Sequence, residues 1–234
     1  MKTSKGNLIC LSMILGFVLL FSYGCKKSSN NDIISPAPGG TVTDIDGNVY
    51  PVVVIGTQTW MAANLKTTRY RNGNPVPMVT DSVQWSALTT PGYCNYNNDA
   101  SKAAAYGFYY NFFAVTDSNN IAPLGWHVPT DADWAVLITY LGTGGGGKLK
   151  ATGTTYWLSP NSGATNSTGF NGRGGGDRSY TGTFHYFGTY GCFWCTTEVD
   201  ATNAWEHILS TNSANILRMS YPKGLGLNVR CVKD

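Results

Sequence analysis

The chain has 234 residues, of which only 12% are charged, and a formal net charge of +3. Two of its basic residues, Lys2 and Lys5, belong to an N-terminal leader. Without them the signs all but balance, so nothing in the charge points to a nucleic acid or another polyanion as partner. Low charge combined with 28 glycines, 14 tyrosines and 7 tryptophans reads as an exported, β-rich domain with many turns.

Residues 1–24 read as a lipoprotein signal peptide. Lys2 and Lys5 form the basic n-region, and Leu8 to Phe21 is an apolar run too short to span a bilayer comfortably. It ends in Ser22-Tyr23-Gly24-Cys25, small residues before a Cys in the manner of a lipobox, with Ser22 where Leu is usual. Cys25 is the expected lipidation site, and two or three acyl chains anchor a protein stably. The expected address is the outer membrane, lipid-anchored, on its periplasmic or cell-surface face. Residues 25–40, rich in Ser, Asn, Pro and Gly, form a tether with a coil span of about 20 Å. A single domain then fills residues 41–234, within the size one core supports.

Thr41 to Leu65 reads as β-structure around an Asp46-Gly47-Asn48 turn. The run Asp44-x-Asp46-Gly47 hints at a calcium loop, but its Gly comes too early and Ile55 stands where the Glu belongs. A hairpin turn is the better reading. Residues 66–104 are mostly irregular. Tyr109, Phe112 and Phe113 share a helical face, which predicts a short buried helix within Tyr106–Val115. Thr130 and Asp133 make a capping box for a helix whose apolar stripe is Trp134, Leu137, Ile138 and Leu141, stopped by Gly142.

The stretch from Gly142 to Leu149 satisfies both G-x-G-x-x-G and G-x-x-x-x-G-K. It follows a helix rather than a strand, however, and Leu149 stands where a P-loop needs Ser or Thr. No nucleotide is expected, and the glycines read as a mobile loop. Beyond Thr152, Cys192–Glu198, Ala204–Leu209 and Leu227–Val232 look like strands of one antiparallel sheet.

Together these residues carry a pattern: Asp-Ile-Asp-Gly-Asn-Val-Tyr, Gln-Thr-Trp-Met-Ala-x-Asn-Leu, Tyr-Cys-x-Tyr-Asn-Asn-Asp, Tyr-Gly-x-x-Tyr-Asn, Gly-Trp-His-Val-Pro-Thr, Trp-x-x-Thr-Glu and Val-Arg-Cys-Val-Lys-Asp. The pattern resembles the Fibrobacter succinogenes major paralogous domain, a family of exported bacterial lipoproteins and surface proteins with no established biochemical role. The resemblance implies an α+β, C-type lectin-like fold related to formylglycine-generating enzymes. Two short helices would pack on a small twisted antiparallel sheet with long loops. Relatives often carry a Cys where this chain has Ala122, and Ser where it has Cys195, while Cys192 is additional. With Ala122 unable to pair, the resemblance makes Cys94 the expected disulfide partner of Cys231.

Chemistry is harder to find. Cys192-x-x-Cys195 does not open a helix after a strand, and on a strand the two side chains point to opposite faces. His127, His185 and His207 are scattered without metal-ligand spacing, and Glu198 and Glu206 are the only glutamates. No Gly-x-Ser-x-Gly elbow and no calcium-lectin triplet occurs. No catalytic residue, metal ligand or cofactor is therefore assigned. One hypothesis is a non-catalytic module for an extracellular glycan or protein. The other is a thiol-dependent enzyme on a formylglycine-generating scaffold, using Cys192 or Cys195. The aromatic segment Tyr180–Tyr190 favours binding, with Tyr180, Phe184, Tyr186 and Tyr190 as candidate ligand contacts.

Overall fold

The computed structural model describes Met1 and residues 38–234. Residues 2–24 of the leader, Cys25 and most of the tether lie outside the described residues. Strand β1 (Pro38–Thr43) begins just before the expected boundary and turns into β2 (Val49–Ile55) and β3 (Gln58–Met61). Helix α1 (Ser82–Ser86), β4 (Tyr93–Cys94), α2 (Ala103–Tyr106), β5 (Tyr109–Tyr110) and α3 (Phe112–Val115) follow. Then come β6 (Trp126–His127), α4 (Asp131–Leu141) and α5 (Gly145–Leu149). The chain closes with β7 (Asp177–Arg178), β8 (Phe184–His185), β9 (Tyr190–Glu198), β10 (Asn203–Ser210), β11 (Ile216–Pro222) and β12 (Val232–Lys233).

The architecture is α+β. A five-stranded sheet runs in the order β1-β2-β3-β12-β6, and a three-stranded sheet runs β11-β10-β9, both antiparallel. Two features depart from expectation. The helical material among the described residues is spread over five short helices, of which only α4 exceeds five residues. And the segment ending in Val232 meets β9 only through a parallel bridge, in which Asn228 exchanges backbone hydrogen bonds with Cys192 and Trp194, rather than as an antiparallel strand. The third strand beside β9 and β10 is β11, while Val232 pairs with Trp60 of β3 and His127 of β6. Strand β11 is mostly exposed, so it lacks the buried alternation that marks a strand in sequence.

Local chemistry explains the turns. Asp44 accepts hydrogen bonds from the backbone N–H groups of Asp46 and Asn48, from Asn48 Nδ2 and from the Tyr50 hydroxyl. Asp46 takes donors from Thr67, Thr68 and Arg69. Both carboxylates are thus consumed in pinning the β1–β2 turn to the following loop, as a hairpin turn requires and a calcium loop does not. At α4 the capping box forms as expected, and Gly142 ends the helix at φ 64, ψ −158, a conformation closed to L side chains.

The glycine run is not a loop. Gly145, Gly146 and Gly147 are buried in α5, and a Cβ on Gly147 would lie 2.1 Å from the Gly163 carbonyl oxygen. Glycine is needed there for close backbone contact. The expected helix at Tyr106–Val115 is also different. Tyr110 exchanges backbone hydrogen bonds with Leu227 in both directions, holding β5 extended, and helix starts only after the Asn111 cap. That long-range pairing outweighs the local periodicity.

Trp134, Leu137 and Leu141 of α4 pack with Trp60, Phe170, Phe193, Cys195 and Leu209 in one core cluster. A second cluster holds Tyr110, Phe112, Cys192, Trp194, Ile208, Leu227 and Cys231. The four described cysteines are free and buried. The expected Cys94–Cys231 bond is absent: Cys94 sits in a third cluster with Val79, Trp85 and Tyr109, apart from Cys231. A disulfide would require their Cβ atoms about 4 Å apart.

Trp134 is fully buried, its ring 5.2 Å from Trp60 and 5.9 Å from Phe193. Trp134→Ala is expected to cost about 3–5 kcal/mol, since its neighbours refill such a cavity only in part. Chemical denaturation checks it, and a loss below about 1 kcal/mol would show that the ring does not hold α4.

Candidate functional site

Strand β10 lies between β9 and β11, and its register sorts side chains onto two faces. One face carries Phe193, Cys195, His207 and Leu209, toward α4. The other carries Tyr190, Cys192, Glu206, Ile208 and Tyr221. The β7–β8 hairpin stands over this second face, with Asp177 paired opposite His185. Between hairpin and sheet is a hollow of about 260 Å³, lined by Asp177, Tyr180, His185, Tyr186, Glu206 and Tyr221 among others.

The hairpin is rigidly based. Arg178, fully buried, donates to the carbonyls of Gly182, Val79, Thr80 and Asp81 and lies over the rings of Trp85 and Phe184. With Arg178 and Phe184 turned inward, Asp177 and His185 face the hollow. Tyr186 follows with φ +60, a left-handed conformation unusual for an aromatic residue. It places the Tyr186 ring 4.9 Å from that of Tyr190.

The hollow is acidic and poorly satisfied. Glu206 is only 2% exposed, and its Oε2 has no hydrogen-bond partner. Burial, reinforced by nearby Asp177, lifts its carboxyl well above the usual range. Asp177 is 7% exposed, and its ion-pair neighbour among the described residues, His185 Nδ1, is 3.9 Å away. Burial pushes Asp177 up to about 6, with His185 opposing. No Lys or Arg lines the hollow. Perturbed acids gathered in a concave site mark a functional candidate on physical grounds.

Of the aromatic residues proposed from sequence, Tyr180, Tyr186 and Tyr190 converge here, the first two more than half exposed. Phe184 does not: its ring packs edge-on against Tyr96 at 5.2 Å and under Arg178. Asp177, Glu206 and Tyr221 were not singled out from sequence. Glu206 did leave a signal, since it occupies a core-phase position between Ala204 and Ile208, where an acid is out of place.

Two other polar groupings differ from this hollow. Asp131, Cys195 and His207 offer ligand atoms within 4.8 Å of one another on the α4 side of the sheet. Both Asp131 oxygens, however, are held by Arg218 at 2.7 and 2.8 Å, and the Cys195 thiol donates to the Trp205 carbonyl. Burial pushes Cys195 up to about 11 and Cys192 well above its ordinary value. These thiols are protonated at neutral pH, the opposite of an activated nucleophile. A hollow of about 290 Å³ beside Thr43 contains Asp44 and Arg71. There Asp44 is saturated as described, and Arg71 donates to the carbonyls of Ala122, Pro123 and Trp126.

His127 also has a structural role, with Nδ1 2.7 Å from Asp234 and Nε2 3.3 Å from the capping residue Asp133. It ties the C-terminus to the start of α4.

Antiparallel sheets, a packed helix and a tyrosine-lined acidic hollow that holds an unpartnered carboxyl oxygen define a small α+β domain. The family follows from the sequence match: the chain belongs to the Fibrobacter succinogenes major domain family, whose profile covers residues 53–233. Comparison with curated proteins and with solved structures finds no match.

The raised Asp177 carboxyl has a consequence for stability. Folding raises its affinity for the proton, so its contribution is most favourable at low pH and is lost as pH rises from about 4 through about 6. The loss amounts to about 3 kcal/mol at most. Asp177→Asn is therefore expected to stabilise the protein near neutral pH and to leave stability unchanged near pH 4. Urea midpoints of both proteins across that window test it. An unchanged difference would mean that Asp177 is solvated.

Proposed function

We propose that the chain is an exported lipoprotein, anchored through Cys25 to the outer membrane, whose domain binds an extracellular glycan without transforming it. The observation that carries this reading is the hollow itself. Tyr180, Tyr186, Tyr190 and Tyr221 surround two carboxyl groups that lack adequate partners within the protein. Tyrosine offers an apolar face for a sugar ring and a hydroxyl for its oxygens. Buried acids supply acceptors for sugar hydroxyls, and a polar group left without a partner is costly until a ligand provides one. The same reading takes the architecture as C-type lectin-like, supported by one helix packed on short sheets and by long irregular connections.

A glycan-binding screen with the soluble domain tests the function. Tyr186→Ala and Tyr190→Ala are expected to lower affinity about tenfold or more, as for buried aromatic anchors. Tyr140→Ala, altering an exposed tyrosine of α4 on the other side of the sheet, serves as the control. Binding that survives both hollow variants places the ligand elsewhere. The anchor is tested separately by Cys25→Ala, which is expected to move the protein from the detergent to the aqueous phase. Unchanged partitioning rules out lipidation at that residue.

A further inference from the structure

We propose that the glycan's anchoring group is an ammonium, so that the hollow between the β7–β8 hairpin and the sheet is a subsite for an unacetylated amino sugar. This rests on the glycan-binding reading and names its ligand class.

The contrast with the other buried charges points that way. Fully buried Arg178 meets four carbonyls. Lys150, also fully buried, donates to the carbonyls of Ser162, Ser210 and Ser213. Arg230 is held by Asn64 and by the carbonyls of Met61 and Phe170. Asp44 takes four donors. Glu206 stands apart: it is 98% buried by the same measure, its Oε2 is unpartnered, and it borders the hollow.

A neutral sugar could donate hydroxyls to Asp177 and Glu206, but in a site without Lys or Arg it offers no counter-charge that would let these acids ionise despite their burial. An ammonium supplies three donors and the missing positive charge together. The rings of Tyr180, Tyr186, Tyr190 and Tyr221 offer faces that attract a cation.

The groups facing the acids are His185 and Tyr186 from the hairpin side, Tyr190 and Cys192 from β9, Tyr221 from β11 and Tyr180 from the turn. Among them His185 is the only basic side chain. Binding keeps all three ammonium protons on nitrogen, while the acids, both raised by burial and Asp177 to about 6, release theirs to solvent. Affinity for the cation should therefore rise with pH between about 5 and 7.

The test is calorimetric titration of the folded protein with three matched probes: glucosamine oligomers, their N-acetylated counterparts and neutral glucose oligomers. The glucosamine oligomers are expected to bind about tenfold or more tightly than either counterpart near neutral pH, with the preference shrinking toward pH 5. Glu206→Gln and Asp177→Asn, checked for a native melting transition, are each expected to reduce that preference several-fold. Two variants are used so that a folding defect in one leaves the other informative.

Equal or tighter binding of the acetylated or neutral oligomers overturns the ammonium assignment while leaving glycan binding intact. Binding of none of the three overturns both, and binding of a lysine-rich peptide instead assigns the hollow to a protein partner.

Discussion

The structure depends on β10 being buried on both faces. Its neighbours β9 and β11 fill its hydrogen-bonding edges, and from Glu206 to Ser210 every residue is buried, on one face or the other. Leu209 and His207 go to the α4 side, where His207 stacks flat on Trp134 with centroids 4.6 Å apart. Ala204, Glu206 and Ile208 go to the other side, against the cluster that contains Trp194 and Cys192. Because the pleat alternates strictly, Glu206 and His207 are adjacent in sequence yet belong to separate environments. A slip of one residue would exchange them and both cores with them.

Several buried polar groups hold irregular chain in place of regular ladders. Arg178, Arg230 and Lys150 each collect carbonyls from loops, and Arg230 and Lys150 also from the strand ends at Met61 and Ser210. Trp194 Nε1 reaches the Tyr110 carbonyl across the core, and Gln58 Nε2 reaches the Asp133 carbonyl to tie β3 to α4. Long loops can be ordered this way because buried backbone acceptors must find donors, and a guanidinium satisfies several at once. Against that background, Glu206 is a buried acid with an unpartnered oxygen.

Legibility in the sequence followed the range of the interactions. The capping box of Thr130 and Asp133, the Gly142 stop and the Asp46-Gly47 turn were readable because each is settled within a few residues. The aromatic hairpin was readable as a place with more tyrosine than a turn requires. Strand β5 was not, since its extended state is imposed by Leu227, far along the chain. Nor was α5, whose glycines look like a loop until Gly163 and Asn215 are seen pressed against them. The Cys94–Cys231 pairing, which only the family resemblance implied, is absent for a related reason: Cys94 and Cys231 occupy different clusters.

By itself the sequence determined the α+β class, the main helix with its cap, the first hairpin and the family. These rest on short-range hydrogen bonding and on a motif order that the chain carries openly. Only the tertiary structure decided that Asp177 and Glu206 share one hollow with Tyr186 and Tyr221, and that Phe184 turns away from it. The reason is that a site's electrostatics depend on which groups are buried together and which donors fail to reach them. Those are properties of packing between distant segments, and no local pattern encodes them.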